Sequence, residues 1–510
     1  MTRTQEYTDY LAALQPVAAR YATRPAISDG DLTVTFGELW SMVEQRAERL
    51  RSAGLRRGDR VALVAENSAH YLASALAVWR AGGVLVTVYP SAGASDLQYS
   101  VELGDPALIL TDGRVDLSVL DAQGPTVPTA SIVDFDVPPV RRDAEAAPAS
   151  VADKLAMICF SSGTTSRPKA IMVTPHTIHN CAETYAEVWR LGPADVTAVS
   201  LPMAWMYGLV STSLATLLRG GTVVVLRRAR PELIAEAVIT HGVTFLPGVT
   251  TMFVKLVAYM ASDPDRLWFP TLRLCISGGE PRNETVFERW RAATGCAVLD
   301  AYCASECLPL VTYDPLRDPV PVPGSAGRLV PRSLLRVVDA EGRDVAPGEV
   351  GEALSSGPGV MLGYWRDEEQ TRAALTEDGW FRTKDLVRVD EDGYVHVVGR
   401  LSDLIIRGGT NISPAEVERV LREHPGIGDV AVVGLPDAVY GQEVVAAIVP
   451  GPGGTVDDAE LASFARERLA PYKVPTSFVT IDALPVSETT GKVSRKDVVA
   501  SLLAGRAHQP

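Results

Sequence analysis

Between residues 161 and 169 the chain reads Ser161-Ser162-Gly163-Thr164-Thr165-Ser166-Arg167-Pro168-Lys169, directly after the apolar segment Leu155-Ala156-Met157-Ile158-Cys159-Phe160. Hydroxyls at 161, 162, 164, 165 and 166, backbone N–H groups beside a glycine and a cationic end at Arg167 and Lys169 suit a polyanion. Triphosphate is the natural candidate. The spacing is not that of a Walker A loop. Taken alone, the stretch has a solvated Ser/Thr loop as its secondary reading.

Further constellations follow in a fixed order. Ile276-Ser277-Gly278-Gly279-Glu280-Pro281 falls at the end of a predicted strand, where a doubly wound sheet binds ligand. Asp300-Ala301-Tyr302-Cys303-Ala304-Ser305-Glu306 falls at the next strand end, where the Ser305 hydroxyl and Glu306 carboxylate suit a phosphoryl oxygen and Mg2+. Then come Gly379-Trp380-Phe381-Arg382-Thr383-Lys384-Asp385, Gly399-Arg400-Leu401-Ser402-Asp403, Gly408-Gly409-Thr410 and Thr490-Gly491-Lys492. Each alone is a turn signal. Their order and spacing together are specific.

The elements that must position these residues are legible from periodicity. Thr35-Phe36-Gly37-Glu38 reads as a capping box opening a helix with the apolar stripe Leu39, Met42, Val43, Ala47 and Leu50, ended by Gly54. Strand-like runs at 61–65, 84–88, 108–110, 155–160, 197–201, 222–226, 243–246, 273–276 and 297–300 alternate with helical stretches, one of them from His70 to Ala81. Such alternation means βαβ units, mostly parallel sheets and an α/β fold. From about 320 to 400 short strands and Gly/Pro/Asp turns indicate an antiparallel sheet or small barrel. Beyond Leu401 a smaller α+β pattern begins, with helices near Pro414–Glu423 and 457–469.

At 510 residues the chain exceeds one core, so at least two domains are expected. Hydrophobic content of 46% with 22% charged residues is that of a soluble globular protein. A net charge of −14 argues against nucleic acid or an anionic membrane as the main partner, so an anionic substrate must be held by local donors. The six cysteines show no metal spacing and suit buried, reduced thiols in a cytoplasmic protein. The N-terminus lacks a signal pattern, and the apolar region Leu209 to Leu226 is broken by Arg219-Gly220-Gly221, which excludes a membrane span there.

Taken together, these motifs identify the chain as resembling the adenylate-forming superfamily of acyl-CoA synthetases, peptide-synthetase adenylation domains and luciferases, from roughly residue 20 to 500. The resemblance implies an N-terminal domain of residues 1–401, built of two doubly wound subdomains and a small barrel-like one at about 320–400. It implies a mobile C-terminal domain of residues 402–510 turning at Ser402. ATP would be held by Ser161, Ser162, Gly163, Thr164, Thr165 and Lys169, by Gly278, Gly279 and Glu280, and by Asp300, Ala301 and Tyr302. Asp385 would bind the ribose hydroxyls and Arg400 the ribose and phosphate region. Ser305 would meet the α-phosphate, Glu306 would hold Mg2+, and Lys492 would bridge carboxylate and α-phosphate. Gly408 and Gly409 would line the thiol channel, where glycine permits close approach. A carboxylate attacking a phosphate brings two anions together, so positioning and charge neutralisation suffice and no nucleophilic side chain is needed.

Several positions depart from the family pattern. Ser166 and Ala170 stand where glycine is usual, Cys303 and Lys384 likewise, and Trp205 replaces a histidine that often gates the acyl pocket. The pocket would be built around Trp205, Met206, Tyr207, Gly208, Gly248, Cys303 and Cys307. Added volume at Cys303 and Trp205 favours a small or planar aromatic acid, while core packing of Trp205 and Met206 stands as the other reading. His176 and His179 share a helical face without further metal-ligand spacing.

The expected activity is an ATP- and Mg2+-dependent acid:thiol ligase, forming acyl-AMP and pyrophosphate and then acylating coenzyme A. Acceptor alternatives are a carrier-protein phosphopantetheine or an amine. A diazotase that activates nitrite toward an aryl amine and a catalytically silent nucleotide-binding relative complete the set. Monomer and homodimer both remain open.

Overall fold

A computed structural model describes residues 9–120, 127–142, 154–161, 168–263, 268–437, 439–451, 456–486 and 493–507. It divides into two compact units. The first runs to Leu335 and includes Ser355–Phe381; the second comprises Arg336–Leu354 and Arg382 onward.

The first unit is built on two sheets. One has seven strands in the spatial order Gly363–Tyr364, Ala170–Val173, Met157–Phe160, Val84–Val88, Arg60–Val64, Leu108–Thr111, Thr129–Ser131. Its central strands pair in parallel and are buried along their whole length, as helices on both faces require. The other has nine strands and runs parallel through Thr222–Val225, Val196–Val199, Phe245–Gly248, Leu274–Gly278 and Val298–Ala304. Parallel pairing brings the C-terminal ends of neighbouring strands to one edge, which is where the glycine-rich motifs fall. Beneath it Phe253 meets Phe287 and Trp290 edge-on, with centroids 5.7 and 5.0 Å apart. Such pairs each add about 0.5–1.5 kcal/mol beyond area burial.

Local signals produce the expected helices. The Thr35 Oγ1 accepts from the Glu38 N–H at 3.2 Å while the Thr35 N–H donates to Glu38 Oε2 at 2.8 Å, closing the capping box of the helix Phe36–Ser52. Its core face carries Leu39, Val43, Ala47 and Leu50, but also Arg46. Arg46 is buried because it donates to the His70 and Ile132 carbonyls and to Ser74 Oγ. The helix expected from His70 to Ala81 runs Ala69–Arg80.

In the second unit, the segment expected as an antiparallel sheet or small barrel is a four-stranded sheet ordered Leu334–Val338, Val350–Ser356, Phe381–Val389, Val395–Arg400. A smaller α+β body follows, with the long hairpin Ile427–Asp437 and Gly441–Pro450 and the helices Pro414–Leu421 and Asp458–Arg466. Among the described residues no helix is long and apolar enough to cross a membrane. All six cysteines are free thiols, five of them buried.

Candidate active site

The phosphate-loop motif sits between two strands of a hairpin. Phe160 pairs with Ala170, and the Ser161 N–H donates to the Lys169 carbonyl at 2.9 Å. The Lys169 N–H in turn donates to Ser161 Oγ at 3.0 Å. Ser162, Gly163, Thr164 and Thr165 lie outside the described residues, as does Ser166. The hairpin therefore brings Ser161 and Lys169 together from opposite ends of the motif.

Ser305 and Glu306 occupy the turn of a second hairpin, since Ala304 pairs with Cys307. Tyr364, in the short strand Gly363–Tyr364 that pairs antiparallel with Ala170–Val173, donates its hydroxyl to Glu306 Oε1 at 3.0 Å. The Lys169 ammonium lies 4.9 Å from the centroid of the same ring. Burial first, and the adjacent Glu306 second, hold the Tyr364 phenol well above its ordinary range. One aromatic side chain thus touches a cation and a carboxylate that the sequence assigned to ATP and Mg2+. Tyr364 was not singled out from sequence; its only local signal is the run Met361-Leu362-Gly363-Tyr364-Trp365.

The remaining first-unit residues line adjacent strand ends. Gly248 pairs with Ser277, Ser277 with Asp300, and Gly278 with Ala301. Glu280 accepts from the Thr251 N–H at 2.7 Å and from Thr251 Oγ1 at 3.1 Å. It thereby caps the helix Thr250–Met260, whose own N-cap Val249 offers no side-chain acceptor. Asp300 is buried and accepts from Arg282 Nη1 at 2.7 Å; burial still pushes its carboxyl up to about 6 against that attraction. Tyr302 is half-buried.

The pocket residues share one region. Pro202-Met203-Ala204-Trp205-Met206 leads into the π-helical segment Tyr207–Leu214, a wide turn of the kind found at functional sites. Gly208 is obligatory there, because a Cβ would sit 2.3 Å from the Pro202 carbonyl oxygen. Tyr207 is buried, donates to the Ile276 carbonyl at 3.2 Å and lies against Gly278. Trp205 meets the Tyr207 ring edge-on at 5.9 Å and is half-buried, whereas Met206 is buried. The Tyr185 hydroxyl meets Cys303 Sγ at 3.6 Å. Cys307 is buried near the Ser355 hydroxyl, and burial raises its thiol. His176 and His179 lie on the helix Pro175–Val188, and burial lowers both imidazoles below their usual value.

In the second unit, Asp385 pairs with Arg400 across antiparallel strands, and the Arg400 Nε donates to Asp385 Oδ1 at 2.8 Å. Asp385 is buried and its N–H donates to Thr383 Oγ1 at 3.0 Å. Lys384 between them has φ of 61°, the left-handed region, which explains why glycine is usual there. Ser402 donates to Asp403 Oδ1 at 2.9 Å within the turn Leu401–Asp403. Gly408 and Gly409 form the turn between Ile405–Arg407 and Thr410–Ile412, both with positive φ. Lys492 lies outside the described residues. Beyond it, Val493 bridges to Val486, and Arg495 pairs with buried Glu418 at 3.0 Å and with Asp403 at 3.4 Å.

Hydroxyls, a lysine and a turn carboxylate thus stand at two hairpin turns, beside glycine-rich ends of parallel strands, a donor set suited to a nucleotide. The chain belongs to the AMP-binding enzyme family, which it matches over residues 14–365, with the AMP-binding enzyme C-terminal domain over 416–492. Within the adenylate-forming superfamily it is an AMP-forming ligase of the acyl-CoA synthetase type. It is 35% identical over 479 residues to a feruloyl-CoA synthase of Amycolatopsis sp., covering 93% of this chain and 95% of that protein. ATP-bound MatB from Rhodopseudomonas palustris superposes with a TM-score of 0.85 at 30% identity, covering 97% of this chain and 99% of that one. The amide bond synthetase McbA from Marinactinospora thermotolerans gives 0.84 at 26% identity, covering 96% and 99%.

Proposed function

We propose that the protein adenylates a small or planar aromatic carboxylic acid and passes the acyl group to the thiol of coenzyme A. Tyr364, which meets the Glu306 carboxylate with its hydroxyl and the Lys169 ammonium with its ring, supports the MgATP half of this reading most directly. In the first half-reaction a carboxylate oxygen forms a bond to the α-phosphorus of ATP, and the bond from that phosphorus to the bridging oxygen breaks. Pyrophosphate leaves. In the second, the thiol sulfur bonds to the acyl carbon, the acyl–phosphate bond breaks, AMP leaves and the thiol proton passes to solvent.

Ser161, Lys169 and their loop would hold the β- and γ-phosphates, and Ser305 the α-phosphate. Glu306 offers one carboxylate beside one hydroxyl, an all-oxygen donor set suited to Mg2+ carried on nucleotide phosphates. Bound there, Mg2+ would neutralise phosphate charge. Asp385 would take the ribose hydroxyls, Arg400 the ribose and phosphate region, and Lys492 the carboxylate and α-phosphate. Residues 402–510 would turn at Ser402 between the half-reactions, with pantetheine approaching Gly408 and Gly409. Tyr207 against Gly278, with Trp205 edge-on, supports a short, flat acyl pocket.

Pyrophosphate release on adding MgATP across aliphatic, aryl and cinnamic acids tests the reading, followed by loss of free thiol on adding CoA. Release with no acid in the panel defeats it, and nitrite with an aryl amine becomes the next trial. Likeness to an amide bond synthetase favours one second reading, an amine as acceptor. Acid-dependent release without thiol loss, but with amide formation, would select it.

A further inference from the structure

We propose that Tyr364 is a positioning residue that sets the Glu306 carboxylate and the Lys169 ammonium for MgATP. This rests on the reading of Glu306 and Lys169 as ATP ligands. The segment carrying Tyr364 is tied to both sides of the site through its backbone. The Met361 N–H donates to the Glu306 carbonyl at 2.8 Å. The Leu362 and Trp365 N–H groups donate to the Met172 and Ala170 carbonyls, at 3.0 and 2.7 Å, on the strand that leaves the phosphate loop. The Tyr364 N–H donates to Thr371 Oγ1 at 2.8 Å, which holds the residue in register. Between these anchors the side chain, 5% exposed, uses its two chemical ends separately. The hydroxyl fixes one oxygen of Glu306, and the ring face carries the Lys169 cation.

A carboxylate in a two-residue turn has several rotamers, and ordering it only on arrival of nucleotide costs conformational entropy. The phenol orders it beforehand. The same ring offers the Lys169 cation a neutral π face 4.9 Å from its centroid.

Tyr364→Phe separates the two ends, keeping the ring and removing the hydroxyl. Loss of a hydrogen bond to a charged group is expected to weaken MgATP binding by calorimetry on the order of tenfold. The Mg2+ concentration for half-maximal pyrophosphate release should rise, while KM for the acid and the melting temperature of the ligand-free protein stay near wild type. Tyr364→Leu, which also removes the ring, should weaken MgATP binding further. In a Glu306→Ala background, which removes both acceptor oxygens, Tyr364→Phe should have no added effect on MgATP affinity, a test that holds even if the single variant is destabilised. Wild-type MgATP affinity in Tyr364→Phe with lost affinity in Glu306→Ala overturns this inference alone. Wild-type affinity in both overturns the reading of Glu306 as well. A lowered melting temperature with unchanged MgATP affinity and Mg2+ dependence also overturns the inference, because it assigns Tyr364 to packing.

Discussion

Arg400 donates from Nε to Asp385 Oδ1 at 2.8 Å, yet Arg400 is 56% exposed and Asp385 only 6% by side chain. A pair half in water contributes about 0–1 kcal/mol to stability, so the contact is better suited to setting the carboxylate than to holding the sheet. Asp385→Asn preserves volume and removes charge. Its KM for ATP should rise on the order of tenfold, from weaker bonds to ribose hydroxyls, with little change in melting temperature. Kinetics and a thermal melt on the same preparation check both halves; a large loss of stability with normal KM would reverse the assignment.

Lys384 occupies the left-handed region at φ 61°. An L-residue there costs about 1–2 kcal/mol, and glycine removes that cost but adds about 0.5–1 kcal/mol of unfolded-state entropy. Lys384→Gly is therefore expected to be neutral to about 1 kcal/mol stabilising. Lys384→Val, branched at Cβ, should destabilise. Urea midpoints for the two variants give the comparison, and a destabilising glycine would contradict the backbone reading.

Burial lowers the His179 imidazole below its usual 6.5. A folded-state value below the unfolded one means the unfolded chain binds more protons as pH falls past 6.5, so stability is lost toward acid. His179→Gln should flatten the fall in melting temperature between about pH 7 and pH 5. His176, lowered by burial and then by His179, should retain part of the slope. An unchanged slope in the His179 variant would assign the acid sensitivity to other groups.

Lys492→Ala should abolish adenylate formation while thiolysis of supplied acyl-AMP continues, because residues 402–510 would take different orientations in the two half-reactions. Arg495, three residues on, has a structural part instead: Arg495→Met leaves the buried Glu418 carboxylate short of its close cation. That should cost about 2–3 kcal/mol and depress both half-reactions together. Stopped assays of each half-reaction with a denaturation curve distinguish the two variants.

Glu280 and Asp300 show how far motif reading reaches. Both stand in the ligand motifs at strand ends, yet the Glu280 carboxylate caps a helix that begins at Thr250, and the Asp300 carboxylate is taken by Arg282. Either can serve the site through its backbone position without its side chain being free to do so.

Periodicity, caps and turn glycines are local properties, so the amino-acid order alone determined the alternating strands and helices, the Thr35–Glu38 box and the turn at Gly408-Gly409. It also determined the motif order that identifies a nucleotide. Tertiary structure decided which side chains hold those motifs in place. Tyr364 reaches Glu306 across 58 residues, and Arg46 finds the Ile132 carbonyl across 86. Neither partner is encoded by local spacing. An apolar-looking Tyr or a charged residue on a helix stripe gains its role only when the fold removes water and leaves particular hydrogen-bonding partners within reach.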